Sequence, residues 1–188
     1  MKIGVMCSGN GTNFENIVRS CPEIDVVLMV YNKKDCGAVK RANSLGIPSC
    51  YVKSKDEDFI IRYFKALEVD YIVLAGWMRI LSSKFIQAFH DKIINIHPSL
   101  LPKYKGLDSI QRALNNRDEV TGCTVHMVTE ELDSGKILMQ EEVSIHPYDS
   151  LKTLTMAVHE AEHRILPQTL RNLNISSELR LIWNEKKC

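Results

Sequence analysis

Three polar residues with complementary chemistry follow two predicted strands. Asn95 and His97 close the apolar run Lys92–Ile96, and residues two apart on a strand face the same side. Asp133 follows a second predicted strand, Cys123–Thr129. An amide beside an imidazole suits acyl-type chemistry, because the amide stabilises an oxyanion and the imidazole donates or shuttles a proton. An aspartate bonded to His97 would fix its tautomer, raise its pKa and favour the imidazolium. The alternatives are a structural histidine bonded to nearby backbone and an ordinary turn aspartate.

The first loop, "SGNGTNF", predicts an anion site. Gly9 and Gly11 allow close backbone approach, and a helix that begins at Thr12 or Asn13, capped by either, offers unpaired N–H groups. A dinucleotide fingerprint fails, because Phe14 occupies the place of its third glycine and the next strand ends without an acid. The loop therefore favours a single phosphate monoester, with a plain tight turn as the alternative.

A third candidate, "HEAEH" at residues 159–163, matches the zinc metalloprotease signature H-E-x-x-H. Helical spacing argues against a metal site, because the predicted buried stripe leaves His159 and His163 on the opposite side, in solvent. Glu162 borders the stripe and could reach into a cleft, or it could be a solvated helix carboxylate. The stripe consists of Leu151, Leu154, Val158, Ala161 and Ile165.

These candidates must be positioned by alternating strands and helices. Continuous apolar runs predict parallel strands that are covered on both faces, and amphipathic segments predict the helices between them. The predicted strands are Lys2–Cys7, Ile24–Tyr31, Ser49–Val52, Tyr71–Ala75, Lys92–Ile96, Cys123–Thr129 and Lys136–Val143. The predicted helices are Asn13–Ser20, Gly37–Ser44, Asp56–Leu67, Ser83–His90, Asp108–Asn115 and Ser150–Leu166. Gly46 should end the second helix, and Ser54 with Glu57 forms a capping-box pattern for the third. The class is α/β with a mainly parallel sheet, and ligands belong at the carboxyl ends of its strands.

Composition narrows the function classes. The 188 residues suit one domain, residues 1–188. The formal net charge of +1 does not indicate binding to nucleic acid or to a membrane surface. The first apolar run is too short for a signal peptide or a membrane span. The six cysteines form no C-x-x-C pair, which predicts reduced thiols and a cytoplasmic protein.

Four motifs in order carry a resemblance to a known family. They are "GNGTN" in the first loop, "AGWMRILS" at residues 75–82, "NIHPSLLPKYKG" from Asn95 and "GCTVHMVTEELDSG" at residues 122–135. Together they resemble the phosphoribosylglycinamide formyltransferases, folate-dependent enzymes of purine biosynthesis. The likeness runs from the first strand to the helix that ends near Pro167. The block "HPSLLP" alone marks only the wider group of folate formyltransferases.

The resemblance implies a reaction and a set of site residues. The formyl group of 10-formyltetrahydrofolate, the co-substrate, would pass to the amino group of 5′-phosphoribosylglycinamide without a metal. Asn95, His97 and Asp133 would be catalytic, and the substrate would contact Gly11, Thr12, Asn13, His159, Glu160 and Glu162. The folate pocket would be lined by Asn95, by Met78, Arg79, Ile80 and Leu81, and by Thr129, Glu130, Glu131, Leu132 and Asp133. A basic folate contact has no clear counterpart, with Lys53 and Lys55 as candidates.

The implied fold is a seven-stranded, mostly parallel twisted sheet with helices on both faces and one antiparallel strand. Alternatives within the wider group are another folate-dependent formyltransferase and formyltetrahydrofolate hydrolase. A tRNA-directed member would need a further basic domain, and the hydrolase would need an additional N-terminal domain. The motifs do not indicate an oligomeric state.

Overall fold

Seven strands form one sheet in the computed structural model, which describes residues 1–53 and 56–185, with side chains up to residue 176. Its strands are β1 (Lys2–Cys7), β2 (Asp25–Tyr31), β3 (Ser49–Tyr51), β4 (Tyr71–Leu74), β5 (Ile93–His97), β6 (Val120–Met127) and β7 (Ile137–Ser144). The sheet order is β3-β2-β1-β4-β5-β6-β7. Neighbouring strands are parallel except that β6 runs antiparallel to both β5 and β7. The predicted mostly parallel sheet with one antiparallel strand is confirmed.

Helices cover both faces of this sheet, as predicted. They are α1 (Thr12–Ser20), α2 (Gly37–Leu45), α3 (Glu57–Ala66), α4 (Ser83–Ala88), α5 (Ser109–Asn115) and α6 (Leu151–Glu185). Phe14 of α1 and Val158 of α6 belong to the core on one face, which also takes in α2 and α5. Phe64 of α3 and Phe85 of α4 belong to the core on the other face. The interiors of the central strands β1, β4 and β5 are therefore shielded from water on both sides, which explains their apolar runs, whereas β7 is largely exposed.

Helix α6 continues well beyond the end predicted at Leu166. A proline inside a helix removes one N–H donor and leaves the carbonyl four residues earlier without its partner. Pro167 lies inside α6, and the carbonyl that it frees belongs to His163. Asn16 Nδ2 donates to that carbonyl at 2.7 Å. A side chain of α1 thus replaces the missing bond, so the helix continues and α1 is tied to α6.

Two other predicted boundaries need correction. Strand β6 starts at Val120 and ends at Met127 rather than running from Cys123 to Thr129, because its ladder with β7 begins at Val120 and the chain turns away after Met127. Gly135 packs there so closely that a Cβ atom would lie 1.8 Å from the carbonyl oxygen of Met127. Helix α4 ends at Ala88, two residues before the predicted end.

The predictions for the end of α2 and for the start of α3 have different outcomes. Gly46 ends α2 in the left-handed conformation, as predicted. Ser54 of the predicted capping box lies outside the described residues. Its proposed partner Glu57 instead accepts hydrogen bonds from the backbone N–H and hydroxyl of Ser82, so it ties α3 to the loop before α4.

Within the described part of the chain, no helix has the length and apolarity needed to cross a membrane. The five cysteines in that part carry free thiols.

Candidate functional site

Asn95 and His97 lie on the same face of β5, as the alternation of the strand predicted. Ile94 and Ile96 belong to the core on the α1/α6 side, whereas Ile93 belongs to the core on the α3/α4 side. Because Asn95 and His97 share the parity of Ile93, they face the α3/α4 side at the carboxyl end of β5.

Asp133 reaches this pair by a route that the sequence did not indicate. Since β6 is antiparallel, its carboxyl end lies beside the start of β5, where the Val128 N–H donates to the Ile93 carbonyl at 2.8 Å. The loop of residues 128–136 therefore folds back along the sheet to bring Asp133 to His97. The backbone of Asp133 adopts a positive φ of 47°, and its carboxylate accepts the Gly106 N–H at 2.9 Å.

Four side chains form the candidate catalytic cluster. His97 Nδ1 lies 3.4 Å from Asp133 Oδ2, and both side chains are 8% exposed. His126 Nε2 lies 3.5 Å from Asp133 Oδ1 and 3.1 Å from Asn95 Nδ2. The structure thus brings the three predicted residues together through a fourth, His126.

His126 was missed by the sequence analysis. It lies opposite Asn95 in the β5–β6 ladder and is almost completely buried. His126 Nδ1 donates to the Met127 carbonyl at 2.8 Å and therefore carries a proton. In the neutral ring, Nε2 is then an acceptor, and the Asn95 amide donates to it. The alternation within "CTVHM" offered a signal, but only the pairing register places His126 beside Asn95.

The surroundings of the cluster disfavour the charged form of His97 and favour the charged form of Asp133. Burial lowers the pKa of His97 below its usual value, although its bond to the Tyr104 carbonyl and the charge of Asp133 both raise it. Asp133 therefore acts in the predicted direction, but burial outweighs it, and the prediction of a raised pKa for His97 is wrong for this structure. Burial also raises the pKa of Asp133, yet the neighbouring His126 ring, the hydrogen bond from the Gly106 N–H and the nearby His97 outweigh it and keep that pKa below its usual value.

The first loop leads into α1 with a free N-terminus. Gly11 is the N-cap residue at φ 74°, and no side chain caps the helix, so the predicted cap by Thr12 or Asn13 is wrong because both lie inside α1. A Cβ atom on Gly11 would lie 2.7 Å from the Cβ of Ala38, so only glycine fits without displacement. The first N–H groups of α1 have no partner within the helix and remain available to an anion.

Glu162 joins α6 to the first turn of α1 on the other side of the sheet. Its side chain is 4% exposed, and Asn13 Nδ2 donates to its carboxylate at 2.8 Å. Burial raises the pKa of Glu162 to about 7, and the bond from Asn13 opposes this only partly. A buried carboxyl whose pKa is raised towards neutrality is a frequent functional feature.

The histidines and Glu160 of "HEAEH" differ from Glu162 in their exposure. His159 and Glu160 are exposed, as the helical spacing predicts for His159. His163 is only partly exposed, and its Nε2 is buried without a partner, so its placement in solvent was wrong. Its side of α6 lies against α1, where Asn16 binds its carbonyl. Among the residues that the structure describes, no three metal-ligating side chains come together.

The predicted folate-binding residues other than Asn95 lie in two loops, residues 75–82 and 128–136. Met78, Arg79 and Ile80 are exposed, Ile80 by 80%, whereas Leu81 is buried. Leu132 is half exposed and lies near Gly106. Exposed apolar side chains around a polar cluster suit a flat aromatic ligand.

Polar contacts fix the 128–136 loop to α4 and to the segment before α5. Glu130 accepts from Ser83 at 3.2 Å and from Gln87 at 3.3 Å, which docks the 128–136 loop on α4. Glu131 pairs with Lys105 at 3.2 Å, and Thr129 donates to the Glu131 carbonyl. Of the two candidate basic contacts, Lys53 is exposed and Lys55 lies outside the described residues.

Comparison with known proteins gives one family. Residues 1–170 match the formyl transferase family. The phosphoribosylglycinamide formyltransferase of Haemophilus influenzae is 41% identical over 90% of this chain and 85% of its own length. The enzyme of the same name from Bacillus subtilis is 37% identical over 92% of this chain and 94% of its own length. A crystal structure of phosphoribosylglycinamide formyltransferase from Anaplasma phagocytophilum superposes with a TM-score of 0.88, at 36% identity over 90% of this chain and 85% of that one.

Proposed function

The chain belongs to the formyl transferase family, and on that premise we propose that it formylates the amino group of 5′-phosphoribosylglycinamide with 10-formyltetrahydrofolate. The polar cluster of Asn95, His97, Asp133 and His126 is the observation that carries this proposal. An amide donor, an imidazole and a carboxylate meet there beside exposed apolar loops. The first loop and the Glu162 carboxyl offer a place for the phosphorylated amine.

The reaction is an acyl transfer between two nitrogens. The substrate amine attacks the formyl carbon, and the carbonyl π bond becomes a tetrahedral oxyanion. The bond from carbon to the folate N10 then breaks as the carbonyl reforms, the amine nitrogen loses a proton, and N10 gains one. The cluster's task is to stabilise the oxyanion and to hold a proton near the leaving nitrogen.

Asn95 is suited to the first task because its amide nitrogen carries two hydrogens. One is donated to His126 Nε2 at 3.1 Å, which orients the amide and leaves the second for the formyl oxygen. His126 is itself fixed by its bond to the Met127 carbonyl. A donor that is oriented before the oxyanion forms needs no reorganisation as the charge develops.

His97 supplies the second donor once it is protonated. Asp133 lies 3.4 Å away and favours the imidazolium, whereas burial disfavours it. The carboxylate therefore supports the charged ring at the stage when an oxyanion is present. A water molecule could carry the amine proton to N10 past this pair.

Substrate placement follows from the two ends of the site. The unpaired N–H groups at the start of α1 suit the ribose phosphate, contacted by Gly11, Thr12 and Asn13. Glu162 would accept from the glycinamide end, with His159 and Glu160 close by on α6. The folate would lie against Met78 to Leu81 and Thr129 to Asp133, and Lys53 or Lys55 remain candidates for its acidic end. We propose that residues 1–188 work as one such domain in the cytoplasm.

Substitution of the two donors tests this assignment. Asn95→Ala and His97→Ala should each lower kcat by about 10²–10³-fold, because each removes a donor that acts mainly in the transition state. Both variants should still bind the two substrates. His90→Ala is a matched control, since His90 is exposed and precedes the start of β5, whereas His97 ends that strand. A loss below tenfold for both cluster variants, or an equal loss for the control, would overturn the assignment.

A further inference from the structure

The two ring nitrogens of His97 differ in their hydrogen bonding. His97 Nε2 lies 2.9 Å from the Tyr104 carbonyl oxygen, a normal hydrogen-bond distance. A carbonyl oxygen only accepts, so Nε2 carries a proton. His97 Nδ1 lies 3.4 Å from Asp133 Oδ2, which is longer than a formed charge-assisted bond. The Nδ1 edge is therefore the one left open to a reacting group.

Tyr104 adopts an unusual backbone conformation to present its carbonyl. Its φ is 55°, in the left-handed region that bulky side chains avoid. Such a conformation persists only where surrounding contacts determine it, and it occurs often at functional sites. The contacts that hold Tyr104 therefore also determine the direction of its carbonyl.

The side chain of Tyr104 is held from two sides. Its hydroxyl donates to Asp118 Oδ2 at 2.8 Å and accepts from Asn116 Nδ2 at 2.9 Å. The guanidinium of Arg112 lies over the ring, 5.1 Å from its centre, and also donates to the Lys105 carbonyl at 2.8 Å. Asp118 and Asn116 lie between α5 and β6, so the tyrosine is anchored to a part of the fold outside the loop that contains it.

We propose that Tyr104 is a positioning residue that locks His97 in its Nε2–H tautomer and makes Nδ1 the nitrogen that serves the reaction. The anchored ring fixes the backbone of Tyr104, and the backbone fixes the imidazole. The imidazolium then offers its Nδ1–H to the oxyanion beside Asp133, while the Nε2–H stays on the Tyr104 carbonyl. This proposal deepens the proposed function, and its kinetic consequence rests on that function. The tautomer of His97 does not depend on it.

The charged and titratable groups around the ring set the pH response. Asp133 approaches from the 128–136 loop, His126 from β6 and Arg112 from α5; the first raises the pKa of His97, and the other two lower it. Burial lowers that pKa most, and the hydrogen bond to the Tyr104 carbonyl raises it. A Tyr104 backbone that drifts away should therefore lower the pKa of His97.

The tautomer can be read without any substrate. Nitrogen-15 NMR of the imidazoles at alkaline pH, with His97 assigned by the loss of its signals in His97→Gln, distinguishes a protonated from a bare ring nitrogen. We expect a protonated Nε2 and a bare Nδ1 in the wild-type protein. A protonated Nδ1 in the dominant neutral form would overturn the proposal, whatever the enzyme assays give.

The anchor is tested by Tyr104→Phe, which removes the hydroxyl and keeps the ring. We expect mixed tautomers, a kcat lowered by about 10- to 100-fold with little change in KM, and an alkaline limb of the rate profile at lower pH. Tyr63→Phe, in an exposed tyrosine of α3, is the matched control and should match the wild type. A Tyr104→Phe variant that melts earlier but keeps the wild-type tautomer and pH profile would show a purely structural role.

Substitution of Asp118 gives a second test, which leaves Tyr104 itself unchanged. Asp118→Ala should reproduce the tautomer mixing and the shifted profile, whereas Asp118→Asn keeps an acceptor for the hydroxyl and should restore both in large part. Equal profiles for the two variants and the wild type would contradict the anchor. If no variant or wild-type protein transfers formyl while the tautomers behave as expected, the proposed function fails and the positioning role stands.

Discussion

Replacing Glu162 by glutamine should remove a buried titration without changing the shape of the side chain. The pKa of Glu162 is raised from 4.5 to about 7, mainly by burial. Between these values the folded protein holds a proton that the unfolded chain has lost, so stability is fully present at acid pH and falls as the pH rises through about 7. The shift corresponds to about 3 kcal/mol of stability lost across this window.

For a chain of this size, that loss corresponds to roughly 6–12 °C in Tm. Glutamine still accepts the hydrogen bond from Asn13, but it does not titrate. The difference in Tm between Glu162→Gln and the wild type should therefore grow in favour of the variant from about pH 5 to pH 8. Thermal unfolding of both proteins at several pH values measures it. Glu160→Gln, an exposed neighbour on the same helix, is the control for the stability measurement and should follow the wild type.

The same variant tests substrate recognition. The neutral side chain should raise KM for 5′-phosphoribosylglycinamide while folate binding, measured by titration, persists. A Tm difference that stays constant over the pH range would refute the argument from burial. Loss of folate binding together with substrate binding would assign Glu162 a structural role instead.

Four further changes give distinct outcomes. Gly11→Ala should raise KM for the phosphorylated substrate by about 30-fold, because the left-handed backbone and the overlap at its Cβ together cost about 2 kcal/mol. Gly9→Ala places its Cβ in open space and should change that KM little. Similar effects from both substitutions would argue against phosphate binding there. Asp133→Asn removes a charge that raises the pKa of His97, so the alkaline limb of kcat/KM should move to lower pH, and an evenly lowered profile would mean that the carboxylate acts otherwise. Asn16→Ala should cost about 1–3 kcal/mol in denaturant unfolding, because the carbonyl freed by the helix proline loses its donor, and a wild-type midpoint would contradict this. Chelation should leave activity unchanged, and stoichiometric zinc lost together with activity would restore the metalloprotease alternative.

The parallel part of the fold could be predicted because burial on both faces leaves a strong signal. Strands such as β1 and β2 consist almost entirely of apolar residues, and their predicted bounds agree with the structure to within a residue. The pair Asn95 and His97 was also accessible, since strand alternation alone puts two such residues on one face.

Contacts between distant segments account for what the sequence could not indicate. Local rules end α6 near Pro167, and only the amide of Asn16 on another helix allows it to continue. His126 needed the antiparallel register with β5 to be recognised, and Asp133 needed the returning path of the 128–136 loop. The pKa of His97 was predicted from one neighbour, whereas burial, which depends on the whole fold, proved larger.

The central claim is tested most directly by mixing the purified protein with 10-formyltetrahydrofolate and 5′-phosphoribosylglycinamide. Release of tetrahydrofolate is followed by absorbance, and the formylated product is identified by mass spectrometry. The account predicts tetrahydrofolate and formylated product in equal amounts, only when both substrates are present, and a strong loss of both in Asn95→Ala. Tetrahydrofolate released without the amine, accompanied by free formate, would indicate a hydrolase and would contradict the account.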